Sequence, residues 1–144
     1  MFFISHRGNI KGPKTQYENS PDYIESALKL GFDVEIDIYF YKNCLWLGHD
    51  SPTYGIKNID WLKNKKLWCH AKNIKALDFM LNEKDIHCFW HQEDDCALTS
   101  KDYIWTYFGK DLFSNSIVVL PEQIKVNDFP NISGICSDYI SKYK

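Results

Sequence analysis

Gly31-Phe32-Asp33-Val34-Glu35-Ile36-Asp37-Ile38-Tyr39 alternates acidic and apolar side chains from residue 33 to residue 38. Period-two alternation marks a β-strand, because successive side chains point to opposite faces. Val34, Ile36 and Ile38 share the apolar face, and Glu35 and Asp37 share the other. If helices cover the apolar face, as in a β/α barrel, the two carboxylates turn inward. About 7 Å apart along the strand, they are placed to hold one hard divalent cation between them.

Outward from this strand, short apolar runs recur and each ends in polar residues. They cover 2–5, 32–39, 45–47, 67–69, 86–90, 103–107, 117–120 and 134–136. Their β-branched and aromatic content reads as strands. Helical patterns lie between some of them. Ser20-Pro21 opens one as N-cap and first helical residue, and Gly31 closes it. Asn73 caps another that carries Ile74, Leu77, Met80 and Leu81 on one face, and 59–62 suggests a single turn. Strand–helix alternation predicts a parallel sheet. Eight runs with polar C-terminal ends predict one domain over 1–144, an α/β fold of minimal (β/α)8 TIM-like form with shortened or missing outer helices. An open α/β sheet is the alternative. Such barrels usually need about 200 residues, so part of this wall would be bare, and a homodimer would cover it.

Composition narrows the class. The chain has 144 residues, 44% hydrophobic and 25% charged, with a formal net charge of −2. This is an ordinary balance for a soluble domain, and it gives no electrostatic footprint for nucleic acid. The apolar run before His6 is too short for a signal peptide or a membrane span. Five scattered cysteines with no C-x-x-C pair read as reduced thiols, which predicts a cytoplasmic location.

The run ends carry the chemistry. His6-Arg7-Gly8 offers a proton-transfer group, a fork of donors for phosphate and a flexible turn. His49-Asp50 ends the third run, where Asp50 either orients the imidazole or caps a turn. His70 and Lys72 share a face after the fourth. Lys72 suits a phosphate oxygen, and His70 is either a metal ligand or a hydrogen-bonded neighbour. His91, opening His91-Gln92-Glu93-Asp94-Asp95, faces the same mouth and is a substrate-binding candidate. Trp90, Trp105 and Tyr107 read first as core packing, with a pocket wall for a sugar or polyol as the alternative, and Glu122 is a candidate for the rim.

Ser5-His6-Arg7-Gly8, Glu18-Asn19-Ser20-Pro21, Gly31 to Asp37 and Gly48-His49-Asp50 follow one another as in the glycerophosphodiester phosphodiesterase family, which the chain resembles over roughly its first 50 residues. Lys72 resembles that family's fourth-strand lysine, and Gly134-Ile135-Cys136-Ser137-Asp138 its last strand. The resemblance implies a phospholipase-C-like phosphodiesterase barrel acting on a small phosphodiester with Mg2+ or Ca2+. It implies His6 and His49 as general acid and base, Glu35 and Asp37 as metal ligands, Arg7 on the phosphate, and Glu18 in the first-loop polar network. The family places a carboxylate where this chain has His70, and a nitrogen donor there shifts preference toward transition metals. The family's usual insertion has no room here. The alternative function is a weakly active or inactive phosphate-ester or sugar-phosphate binding module.

Overall fold

A computed structural model describes residues 1–124, 129 and 131–144. The strands are β1 (Phe2–His6), β2 (Asp33–Tyr41), β3 (Cys44–Leu47), β4 (Tyr54–Gly55), β5 (Leu67–Ala71), β6 (Cys88–Trp90), β7 (Cys96–Leu98), β8 (Ile104–Tyr107), β9 (Ser116–Val119) and β10 (Gly134–Ser137). The α-helices are α1 (Pro21–Lys29) and α2 (Ile74–Asn82), and short 3-10 turns cover Ile59–Lys63, Pro121–Gln123 and Ile140–Lys142.

The expected (β/α)8 barrel is not formed. All ten strands belong to one curled, mixed sheet, a half-barrel, with two short α-helices among the described residues. Strands β6-β5-β2-β1-β10-β9-β8 run parallel in that spatial order. Antiparallel pairing enters at three places, one of them β4 against β3. The third apolar run returns along β2 as an antiparallel hairpin partner, and β7 pairs antiparallel with β8. The physical reason is connection length: a parallel crossover through a helix needs about a dozen residues or more, and the links on either side of β7 are far shorter.

Both helices lie where the sequence places them, but α2 buries only part of the expected face, Met80 with Leu77 packed beside it. Ala76 and Met80 are buried while Ile74 and Leu81 are exposed. Helix α2 contacts β2, β5 and β6, and the small Ala76 permits that close approach. Its N-cap side chain Asn73 accepts from the Ala76 amide and also grips the Phe40 backbone through both N–H and C=O. The helix is thereby stapled to β2.

Val34, Ile36 and Ile38 of β2 join Leu67, Cys69 and Ala71 of β5, Cys88 of β6, and Ile24, Ala27, Ala76 and Met80 of the helices in the largest apolar cluster. Each fully buried Ile or Val contributes about 1.5–3 kcal/mol of transfer free energy. The opposite, acidic face is buried as well, with Asp37 matched there by Arg7, His70 and Lys72. On the inner face, Ile4, Trp68, Phe89, Trp105, Ile117, Val119 and Cys136 form a second cluster. The rings of Phe89 and Trp105 stand 4.6 Å apart, so side chains of β6 and β8 meet inside the curl although the two strands are not paired. Among the described residues no α-helix covers the outer side of β9 and β10, and the short turn at Ile140–Lys142 lies against β10. Val118 and Ile135 pack instead with Phe32, Ile132 and Ile140, and Leu112, Phe129 and Tyr143 lie against them. No helix among the described residues is long and apolar enough to cross a membrane.

Candidate active site

Register assembles the centre of the site. His6 of β1 pairs with Glu35 of β2, and Asp37 of β2 pairs with His70 of β5. Parallel neighbours in register put side chains on the same face. Four functional groups from three strands therefore stand in adjacent rows at the C-terminal end of the parallel strands.

The loops add the rest. After His6 the backbone turns through Arg7 at φ +54 and Gly8 at φ +93, and the Arg7 amide donates to the Glu35 carbonyl. Arg7 is an uncommon non-glycine residue in the left-handed region. The turn carries its guanidinium back over the strand ends, with Nε 3.1 Å from Asp37 Oδ2 and a terminal nitrogen 3.3 Å from Glu18 Oε2. His49 arrives by the hairpin. β2 overshoots the neighbouring parallel strands, β3 returns beside it, and Gly48 donates its amide to the Asp37 carbonyl at 3.1 Å. The sequence places His49 at the correct end, but an antiparallel return brings it there, not a parallel strand. Asp50 lies 2.7 Å from His49 Nδ1 and so orients the ring. Lys72 follows β5, with Nζ 3.7 Å from Asp37 Oδ1.

A cavity of about 360 Å³ results, lined by His6, Arg7, Glu35, His49, His70, Lys72 and His91, with Trp90, Trp105 and Tyr107 as aromatic wall. Asp37 is fully buried beside it. Glu18 does not line it. It lies in an adjoining depression that also touches Arg7 and His49, and it accepts from Asn9 and Arg7. Glu122 is not at the rim but accepts from the Ser137 hydroxyl and the Asp138 amide. Of the acidic loop, Glu93 and Asp94 border a separate shallow hollow, and Asp95 pairs with Lys110.

Two contributors escaped the sequence reading as site residues. Asp138 Oδ1 lies 2.8 Å from His6 Nδ1 and also accepts from Asn9. Asn19, buried and at φ +60, donates to Asp37 Oδ2 at 2.8 Å and accepts the Asp37 amide at 2.9 Å. Asn19 lay inside the recognised Glu18-Asn19-Ser20-Pro21 segment, and Asp138 inside the recognised last strand. Those segments were the available signal.

Burial pushes the Glu35 carboxyl up, and the neighbouring charge of Asp37 adds to the rise. Asp37 goes the other way. Burial works against its charge, but the His70 hydrogen bond and the charges of Arg7, His70 and Lys72 outweigh it and hold the group well below the usual carboxylate range. Burial also opposes protonation of His6, yet the Asp138 hydrogen bond and the Glu35 charge raise it above the ordinary imidazole value. Burial lowers His91, and the charge of His70 lowers it further. Burial raises the Cys136 and Cys69 thiols well above their usual value, which argues against a thiolate nucleophile.

Glu35, Asp37 and His70 each offer one ligand atom, and these lie within 4.8 Å of one another. Glu35 Oε2 is buried without a hydrogen-bond partner, a costly arrangement for a carboxylate unless a cation satisfies it. The donor set fits a divalent cation.

The chain matches no protein-family model, no curated protein and no solved structure.

Proposed function

We propose that the protein is a phosphodiesterase that uses a divalent cation and acts on a small, glycerophosphodiester-like substrate, with His6 and His49 as the acid–base pair. The observation that carries this reading is that both imidazoles, Arg7 and Lys72 line a single cavity together with Glu35 and His70 of the Glu35–Asp37–His70 cluster. Two proton-transfer groups and two fixed cations around one polar hollow match what in-line displacement at phosphorus needs: charge on the equatorial oxygens, a base for the attacking hydroxyl and an acid for the leaving alkoxide. A cation held by Glu35, Asp37 and His70 would supply Lewis acidity toward a phosphoryl oxygen.

The chain's own groups divide the remaining work. Asp138 and Asp50 accept hydrogen bonds from Nδ1–H of His6 and His49, which leaves each Nε2 to exchange a proton with the substrate. Arg7 and Lys72 hold the phosphate by charge. Trp90 and Tyr107 border the alcohol portion. The five free cysteines suit a reducing compartment, and the cytoplasm is the proposed location.

One observation favours a second reading. Asp37 already faces Arg7, His70 and Lys72, so its charge is balanced within the protein. A phosphate-ester binding module without turnover would use the same cavity. Assay of bis-p-nitrophenyl phosphate and glycerophosphocholine, with and without divalent cation, separates the two. Cation-dependent turnover supports the enzyme. Phosphate-ester binding without turnover under every cation condition leaves the module.

A further inference from the structure

We infer that the cluster selects a first-row transition cation over Mg2+ and Ca2+, with His70 Nδ1 as its third ligand, held in place by the main-chain carbonyl of His91. This inference rests on the proposal that the cluster binds a divalent cation.

The ring orientation follows from the partners. His70 Nε2 lies 2.9 Å from the His91 carbonyl oxygen. A carbonyl only accepts, so Nε2 carries a hydrogen, and Nδ1 is the ring atom turned toward the cluster. Nδ1 is hydrogen-bonded to Asp37 Oδ1, 3.0 Å away, and stands 3.7 Å from Glu35 Oε1. A divalent cation would displace the Nδ1 proton and join the same three atoms. Metal-ligating histidines almost always donate the other ring N–H to a carbonyl or carboxylate, which fixes the ring and its tautomer. His70 shows that arrangement, and its ring is stacked on Phe89 with an interplanar angle of 4°, so it has little freedom to turn away.

Glu35 Oε2, buried and without a hydrogen-bond partner, is an independent pointer to a cation. Asp37 is oriented to match. Asn19 and Arg7 hold its Oδ2, and Oδ1 is left to face the cluster. Ca2+ needs six to eight oxygen ligands and Mg2+ near-ideal octahedral oxygen. Here one of the three side-chain donors is nitrogen, and Arg7 and Lys72 flank Asp37 where a further anionic ligand would stand. Imidazole with carboxylate suits the Mn2+–Co2+–Zn2+ series, and affinity rises along it from Mn2+.

The test is calorimetric titration of the whole chain with Co2+, Zn2+, Mg2+ and Ca2+, together with pulsed electron paramagnetic resonance of the Mn2+-loaded protein. Co2+ and Zn2+ should bind at least about 100-fold more tightly than Mg2+ and Ca2+. The Mn2+ signal should show modulation from a directly bound imidazole nitrogen. His70→Asp should abolish that modulation and move the Co2+-to-Ca2+ affinity ratio toward Ca2+ by about tenfold or more. His70→Gln, which nearly preserves volume, should also abolish the modulation and serves if the aspartate variant misfolds. Mg2+ or Ca2+ binding as tight as Co2+, binding of none of these cations, or modulation that survives in a folded His70 variant would each overturn the inference. Selective transition-cation binding without phosphodiester turnover would leave it standing while removing the activity proposed above.

Discussion

His6 Nδ1 and Asp138 Oδ1 lie 2.8 Å apart although 132 positions separate them in the chain. They meet because β1 and β10 are parallel neighbours, with Ser5 in register with Ser137, so the residues that follow leave the sheet side by side. Asp138 is held in turn by Asn9 and through the Glu122–amide bond. The two ends of the polypeptide thus set one imidazole in one orientation.

Replacing Asp138 tests that relationship. Asp138→Ala should lower kcat by about 100-fold or more with little change in KM, because it releases the tautomer and position of His6 without touching the phosphate. Nitrogen NMR of His6 should show Nδ1 protonated in the wild type and a mixture of tautomers in the variant. A rise in KM alone, with unchanged His6 resonances, would assign Asp138 a merely structural part.

His6→Ala and His49→Ala should each cut turnover of bis-p-nitrophenyl phosphate by about 10²–10⁴-fold while circular dichroism stays native. Full activity in both variants would end the phosphodiesterase reading.

Gly48 sits at φ +150, and an added Cβ would run into the Ser51 carbonyl oxygen. Gly48→Ala should therefore displace the segment that carries His49. A stability loss of about 1–3 kcal/mol by urea titration is expected, with a larger fractional loss of activity than of stability. A variant as active and stable as wild type would show that the turn has room to adjust.

Burial, with a smaller push from Lys101, lowers the pKa of His87 to about 4. It does not line the cavity, but packs on Trp68 and is bonded to Thr99. The unfolded chain takes up this proton near pH 6.5, whereas the native state resists until about pH 4. Below pH 6.5 the unfolded state binds more protons, so stability falls with pH through that window and levels off beneath it. The loss attributable to this residue should be on the order of 2–3 kcal/mol. His87→Gln should flatten the dependence between pH 4 and 6.5 in denaturation midpoints. An unchanged slope would place the effect elsewhere.

Much of the site was legible because it is written in local pattern. Alternation through residues 33–38 marked Glu35 and Asp37 as one face, and strand ends marked His6, Arg7, His49, Lys72 and His91. Residues whose role depends on a distant partner were not legible as site residues. Asp138 takes its meaning from His6, and Asn19 from a buried pair of bonds to Asp37. Glu122 read as a rim candidate until its bonds to Ser137 and Asp138 placed it as a brace.

The eight apolar runs all became strands, yet their directions were not local properties. Runs two and three pair antiparallel because only Lys42 and Asn43 separate β2 from β3, both at positive φ, which makes a tight hairpin. The two-residue β4 and the three-residue β7 were too short to read from the sequence. Local chemistry was enough to determine which residues form strands, which strands have an acidic face and which side chains can move protons or hold phosphate, since these depend on neighbours within a few positions. Closure into a curled mixed sheet, the pairing of His6 with Asp138 and the direction of His70 Nδ1 were decided only by tertiary packing. Each depends on which strands lie side by side, and that is settled by burying the apolar faces of the whole chain at once.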